Sequence, residues 1–140
     1  MKTRILVADD DLAVRESLAK ILRGAGHEVL CAANGEEAER LVANEPLDLL
    51  LLDLGLPTRG GWNVFGLATA LRPLMPVVIL TGLKDQSENK LLPGIAAFLE
   101  KPVEVPLLLQ TIAGLLAEPE EQRWRRISAH PLIAGRMELA

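Results

Sequence analysis

The chain predicts an α/β fold built around a parallel β-sheet, and three observations carry that expectation. Short aliphatic runs alternate with segments of helical periodicity along most of the 140 residues. The runs are apolar throughout, as suits strands covered on both faces. Most runs end abruptly on a polar residue, twice on aspartate.

Ile5-Leu6-Val7-Ala8 is the first run. Val14, Leu18, Ile21, Leu22 and Ala25 then recur at the spacing of an amphipathic helix, closed by Gly24 and Gly26. Val29-Leu30-Cys31-Ala32 is the second strand, and Asn34 with Glu37 reads as an N-cap and its capping-box partner. Ala38, Leu41 and Val42 face inward on the helix that follows. Leu49-Leu50-Leu51-Leu52 is the strand expected to lie deepest, stopped by Asp53. Beyond the loop 54–61, Val64, Leu67, Ala68 and Leu71 give a third helix, halted before Pro73. Val77-Val78-Ile79-Leu80 ends at Thr81-Gly82, and the polar segment 83–92 reads as a weak helix. Ala96-Ala97-Phe98-Leu99 leads to Glu100-Lys101-Pro102, and Val105, Leu108, Leu109, Ile112, Leu115 and Leu116 share one face of a last helix. Five βα units thus occupy residues 1–117, expected to be one domain. Residues 118–140 read as a solvated tail, acidic and then basic, with no separate effector domain.

Composition narrows the function. A net charge of −4 and the lack of a basic stripe before the last twenty residues argue against nucleic-acid binding. Apolar residues never run long enough to span a membrane, and Met1-Lys2-Thr3-Arg4 passes straight into a strand, so a cytoplasmic protein is expected. Cys31, the single cysteine, reads as a small buried hydrophobe, and His27 and His130 as surface or tail residues.

In an open parallel sheet the carboxyl ends of the strands share one edge, where ligands bind. The residues following the strands should therefore meet: Asp9, Asp10 and Asp11, then Asp53, Thr81 and Lys101. Asp11 reads as the cap of the first helix, but one cap does not need three carboxylates. Carboxylates crowded together repel unless a cation sits between them. Oxygen donors without histidine or thiolate favour a hard divalent ion, Mg²⁺ first and Mn²⁺ as the alternative. A lysine and a hydroxyl beside it make a pocket for a tetrahedral anion.

In these features the sequence resembles the receiver domain of bacterial two-component response regulators over residues 4–117. The matching motifs are the strand ending in Asp9-Asp10, Asp53-Leu54-Gly55-Leu56-Pro57 with Gly61 beyond it, Thr81 closing the fourth strand, and Gly94 to Lys101-Pro102 with Phe98 between. The resemblance implies a flavodoxin-like, doubly wound sheet of order 2-1-3-4-5 with helices on both faces. It implies that Asp53 accepts a phosphoryl group from a histidine kinase or phosphotransfer protein. It further implies that Asp10, Asp53 and the Gly55 carbonyl bind Mg²⁺, with Asp9 acting largely through water. Lys101 and Thr81 would contact the phosphoryl oxygens, Thr81 and Phe98 would act as the switch, and the Lys101-Pro102 peptide would be cis. Output would pass through a downstream protein or a homodimer, without enzymatic turnover of a separate substrate.

Three departures from the pattern matter. Phe98 stands where the family often has tyrosine, so it lacks the hydroxyl's hydrogen bond. The segment between Thr81 and Gly94 is short, which makes the partner face unusual. Gly55 and Leu83, each two residues beyond a site residue, offer no group to orient water, so self-dephosphorylation should be slow. Two other readings stay open: a receiver-like interaction module working without phosphate, and an aspartyl-nucleophile phosphatase, although Gly55 leaves the latter without an acid. Dinucleotide binding is disfavoured because no G-x-G-x-x-G follows the first strand. Trp62 reads as packing; Trp124, Ile127, Leu132 and Ile133 could fold back on the domain or enter a partner.

Overall fold

The computed structural model describes residues 2–58, 60–82 and 94–128. Ten elements follow in order: β1 (Arg4–Ala8), α1 (Leu12–Gly24), β2 (Glu28–Ala32), α2 (Gly35–Asn44), β3 (Leu49–Asp53), α3 (Gly60–Leu71), β4 (Val77–Thr81), β5 (Ile95–Glu100), α4 (Val105–Leu116) and α5 (Glu120–Ser128). The expected helix at 83–92, the shortened segment around Pro93, and Leu83, His130, Leu132 and Ile133 lie outside the described residues. The five strands are parallel and ordered β2-β1-β3-β4-β5, as the resemblance implied.

Strand alternation sorts the core into two layers. Leu6, Ala8, Leu50, Leu52, Val77 and Ile79 meet Ala38 and Val42 of α2 and Val64, Phe65 and Ala68 of α3. On the opposite face Ile5, Val7, Leu49, Leu51, Val78 and Leu80 meet Leu18 and Leu22 of α1 and Leu108, Ile112 and Leu115 of α4. All four residues Leu49 to Leu52 are fully buried. Each contributes about 1.5–3 kcal/mol relative to exposure, which explains an unbroken leucine run in a strand with no solvent face.

Caps fall where the sequence put them. The Asp11 carboxylate accepts the Ala13 and Val14 N–H groups at 2.9 and 3.2 Å and starts α1. Asn34 Oδ1 accepts the Glu37 N–H at 2.8 Å, while Glu37 Oε1 accepts from Ala33, one residue before the cap. Leu71 and Val105 were expected inside but stand in solvent, at 52% and 41% exposure. They lie at helix ends, Leu71 as the last residue of α3 and Val105 as the first of α4. His27 is half-buried instead of superficial, its Nδ1 hydrogen-bonded with the Thr3 hydroxyl.

Residues 120–128, read as part of a solvated tail, form the helix α5, largely exposed but tethered to the domain. Acidic residues in its first turn (Glu120, Glu121) and arginines in its last (Arg125, Arg126) match the helix dipole. Arg125 pairs with Glu121 one turn back at 3.0 Å. Arg123 fastens α5 to the domain, donating to the Leu115 and Leu116 carbonyls at 3.0 and 3.3 Å and to the Leu74 carbonyl at 3.4 Å. Arg126 pairs with Glu118. Trp124 stands 49% exposed on this helix, and Ile127 is half-buried.

Gly61 marks a close approach behind the β3 terminus. A Cβ there would lie 2.5 Å from Leu54 Cα and 2.7 Å from the Asp53 carbonyl oxygen, both backbone atoms unable to yield. Gly61→Ala should therefore cost about 2–3 kcal/mol as overpacking and displace the loop after Asp53. Urea denaturation reads the loss, and a midpoint equal to wild type would contradict it.

Candidate functional site

Register places the site. Ala8 pairs with Leu52, Asp53 with Leu80, and Thr81 with Glu100, so the ends of β1, β3, β4 and β5 open on one edge. Asp9 follows β1 and is fully buried; Asp10 is exposed; Asp53 closes β3 at 7% exposure. An oxygen from each of these three lies within 4.8 Å of the others. Lys101, half-buried beyond β5, places Nζ 2.7 Å from Asp9 Oδ2 and 3.3 Å from Asp53 Oδ2. Its backbone N–H donates to the Thr81 carbonyl at 2.9 Å, tying the β5 end to β4, and the Lys101-Pro102 peptide is cis.

The other carboxylate oxygens are held by backbone. Asp9 Oδ1 accepts the Asp11 N–H at 2.9 Å, and Asp53 Oδ1 accepts the Gly55 N–H at 3.0 Å. Thr81 is buried, and its hydroxyl donates to the Gly82 carbonyl at 3.0 Å. Burial by itself would lower the Lys101 ammonium, but its hydrogen bond to Asp9 and the charges of Asp53 and Asp9 outweigh that and hold it above its ordinary value. Among the described residues Lys101 is the cation paired with these carboxylates, bridging Asp9 and Asp53. Asp9 Oδ2 is buried with the Lys101 ammonium 2.7 Å away. An oxygen-only donor set of three carboxylates, with neither histidine nor thiolate among them, fits a small hard divalent cation.

The geometry brings Asp9, Asp10, Asp53 and Lys101 together, while Gly55 meets Asp53 through its N–H and Thr81 meets Lys101 through backbone. Phe98 lies apart from that cluster: paired with Ile79 across the sheet, it is half-buried against the core layer that includes α3. Trp62 packs there too, edge-to-face with Phe65 at 5.7 Å. Leu83, the second position of the slow-hydrolysis expectation, is outside the described residues. Sequence reasoning missed Arg15, whose Nη1 donates to the Asp9 carbonyl at 2.9 Å. A cation one turn into the helix that Asp11 caps was the available signal.

Residues 5–113 match the family model of the response regulator receiver domain. The chain belongs to that family. Receiver domains are signalling phosphoacceptors of two-component response regulators that interact with histidine kinases and downstream effectors. Among curated proteins, the response regulator protein FleR of Pseudomonas aeruginosa is 32% identical over 115 residues, 81% of this chain and 24% of FleR. The chain spans only 24% to 54% of the length of the first curated relatives it matches. Among solved structures, a receiver domain protein of Methanospirillum hungatei is 35% identical with a TM-score of 0.80, over 87% of this chain and 98% of that one. The receiver domain of a sensor histidine kinase from Pseudomonas aeruginosa shares the fold at 23% identity and a TM-score of 0.77, over 84% of this chain and all (100%) of that one. That structure was solved with a magnesium ion coordinated in its active-site cleft. No helix among the described residues of the present receiver is long and apolar enough to cross a membrane.

The structure corrects the reading of Cys31. It is exposed on β2, an edge strand of the sheet, although Val29 on the same face is buried. Partial desolvation nevertheless pushes its thiol above the ordinary value, against the opposing pull of Arg23 and Arg15. A disulfide reagent should therefore reach Cys31 in the folded receiver but react more slowly at pH 7.5 than with a free thiol, because little thiolate is present. A rate at or above that of the free thiol would contradict this.

Proposed function

We propose that Asp53 is the phosphoacceptor of this receiver and that its modification switches protein–protein contacts. The observation that carries the reading is the juxtaposition of Asp9, Asp10 and Asp53 within 4.8 Å, with Lys101 against two of them. An Asp53 carboxylate oxygen attacks phosphorus, the bond from phosphorus to the donor's histidine nitrogen breaks, and an acyl phosphate remains on Asp53. Lys101 neutralises charge on the transferring group from a fixed position. Asp10, Asp53 and the Gly55 carbonyl would hold Mg²⁺ (or Mn²⁺ in its place), with Asp9 acting largely through water. When bound, the ion shields the negative charge that phosphate and carboxylates would otherwise share. Thr81 turns its hydroxyl from the Gly82 carbonyl toward a phosphoryl oxygen, and Phe98 on the neighbouring strand repacks with it.

Residues 1–117 act as the phosphoacceptor unit, in the cytoplasm, with a histidine kinase or phosphotransfer protein as donor. The target is a downstream protein or a second copy of the chain, and not nucleic acid, consistent with the net charge of −4. Turnover of a separate substrate is not part of this reading. Gly55, which brings no side chain toward Asp53, supports a long-lived phosphoryl group.

Acetyl phosphate tests the chemistry without a partner. With Mg²⁺ the intact receiver should gain one phosphoryl group by mass spectrometry, labile to hydroxylamine as an acyl phosphate is, and with EDTA none. Uptake that is indifferent to EDTA, or stable to hydroxylamine, would overturn the assignment. A phosphoryl half-life of seconds at neutral pH would count against the slow-hydrolysis part alone.

A further inference from the structure

We infer that Arg15 is a positioning residue that aims the Asp10 carboxylate at the metal, an inference that rests on the function proposed above. The carbonyl of Asp9 belongs to the peptide joining Asp9 to Asp10, just beyond the last paired residue of β1. Arg15 Nη1 donates to that oxygen at 2.9 Å from the first full turn of α1. The Asp9 N–H donates to the Ala32 carbonyl at 3.1 Å, and Asp9 Oδ1 accepts from Asp11. Asp11 in turn caps α1, and its carbonyl accepts the Arg15 backbone N–H at 2.9 Å. The short link carrying Asp10 is thus clamped on both sides.

Asp10 itself is exposed, so nothing packs around its side chain to fix its direction. Its aim follows from the backbone, and one peptide rotation would swing the carboxylate away from Asp9 and Asp53. Arg15 opposes that rotation by holding the carbonyl of the rotating peptide, beside the Asp9 carboxylate that holds the Asp11 N–H. A guanidinium can hold the carbonyl oxygen while its methylene stem packs along the helix.

The sign of one measurement separates this role from simple electrostatics. A cation near a metal site repels the metal, so if Arg15 acted only through charge, Arg15→Ala would tighten Mg²⁺ binding. Positioning requires the opposite. Mg²⁺ affinity is measured by competition against Mn²⁺, followed by the electron paramagnetic resonance signal of free Mn²⁺. Arg15→Ala should weaken Mg²⁺ about tenfold, the low end for groups that orient ligands. Arg15→Lys, which keeps a donor one bond shorter, should recover most of the loss. On an Asp10→Asn background Arg15→Ala should have no further effect, because the carboxylate it aims is gone. Equal or tighter binding in Arg15→Ala, or a full loss on top of Asp10→Asn, overturns the inference. Failure of the wild-type receiver to bind Mg²⁺ or take a phosphoryl group overturns the proposed function instead, and the inference with it.

Discussion

Asp53→Asn should abolish phosphoryl uptake from acetyl phosphate, by a factor of at least about a thousand, while leaving the fold intact and slightly more stable without metal. The amide is nearly isosteric with the carboxylate, and its oxygen still accepts the Gly55 N–H that Asp53 Oδ1 accepts at 3.0 Å. What disappears is the nucleophile and one buried charge. Among the described residues its close charged neighbours are Asp9 and Asp10, repulsive and within 4.8 Å, and Lys101, attractive at 3.3 Å. Coulomb energy falls only as inverse distance, so two repulsions at the longer separation exceed one attraction at the shorter. Desolvation of a group 7% exposed adds to the same side. A gain of about 1 kcal/mol in the metal-free protein follows. Adding Mg²⁺ should reverse the ranking, since wild type keeps the better site and ligand binding stabilises the state that binds. Thermal melts with Mg²⁺ and with EDTA test both signs. Mg²⁺-dependent labelling that persists in Asp53→Asn would remove the residue from its assigned role.

Lys101→Ala should reduce phosphoryl uptake by about a hundredfold to a thousandfold, the loss typical of one preorganised donor to a developing charge. It should also destabilise the metal-free receiver. Removing one partner of a buried pair leaves the other charge uncompensated, here Asp9 at 0% exposure. Lys101 keeps 26% of its side chain exposed, which lets water share the burden and holds the cost near 2 kcal/mol. The pH dependence carries a definite sign. Its partners raise the folded ammonium above its ordinary value. The stabilisation is therefore complete below the unfolded value of about 10.4 and lost as pH rises through the folded value above it. Urea midpoints of wild type and Lys101→Ala should stay a constant distance apart from pH 7 to about 10 and converge beyond. A gap that closes between pH 7 and about 9, where the ammonium is charged in both states, would contradict the assignment. Mg²⁺ should narrow the gap at pH 7, because it supplies the positive charge that the alanine removes.

The two alternative readings make different demands on the same residues. A constitutive interaction module would bind its partner equally well with Asp53→Ala. A phosphatase would turn over small phosphate esters, for which Gly55 offers no acid two residues beyond the nucleophile.

Strand ends were legible in the residues because most aliphatic runs stop on a polar group: Ala8 before Asp9, Leu52 before Asp53, Leu80 before Thr81. Parallel pairing then brings those ends to one edge, so most of the site could be anticipated from order alone. Helix ends were less legible. Leu71 and Val105 continue an apolar periodicity to the ends of their helices, and periodicity carries no knowledge of where burial stops. The tether of residues 120–128 was hidden for a related reason: an acidic-to-basic run shows no anchor until Arg123 finds the carbonyl ends of α4 and the loop before β4.

By itself, then, the amino-acid order determined the layers, the identity of the site carboxylates and the lysine, and the caps, since all of these follow from local pattern and strand succession. Tertiary structure decided the exposure of Cys31 on an edge strand and the need for glycine at 61. It also set the clamp of Arg15 on the Asp9 carbonyl and the distance from Lys101 to each aspartate. These are contacts between segments far apart in the chain or between backbone atoms. Their closeness depends on how rigid elements pack, a property that residue spacing does not encode.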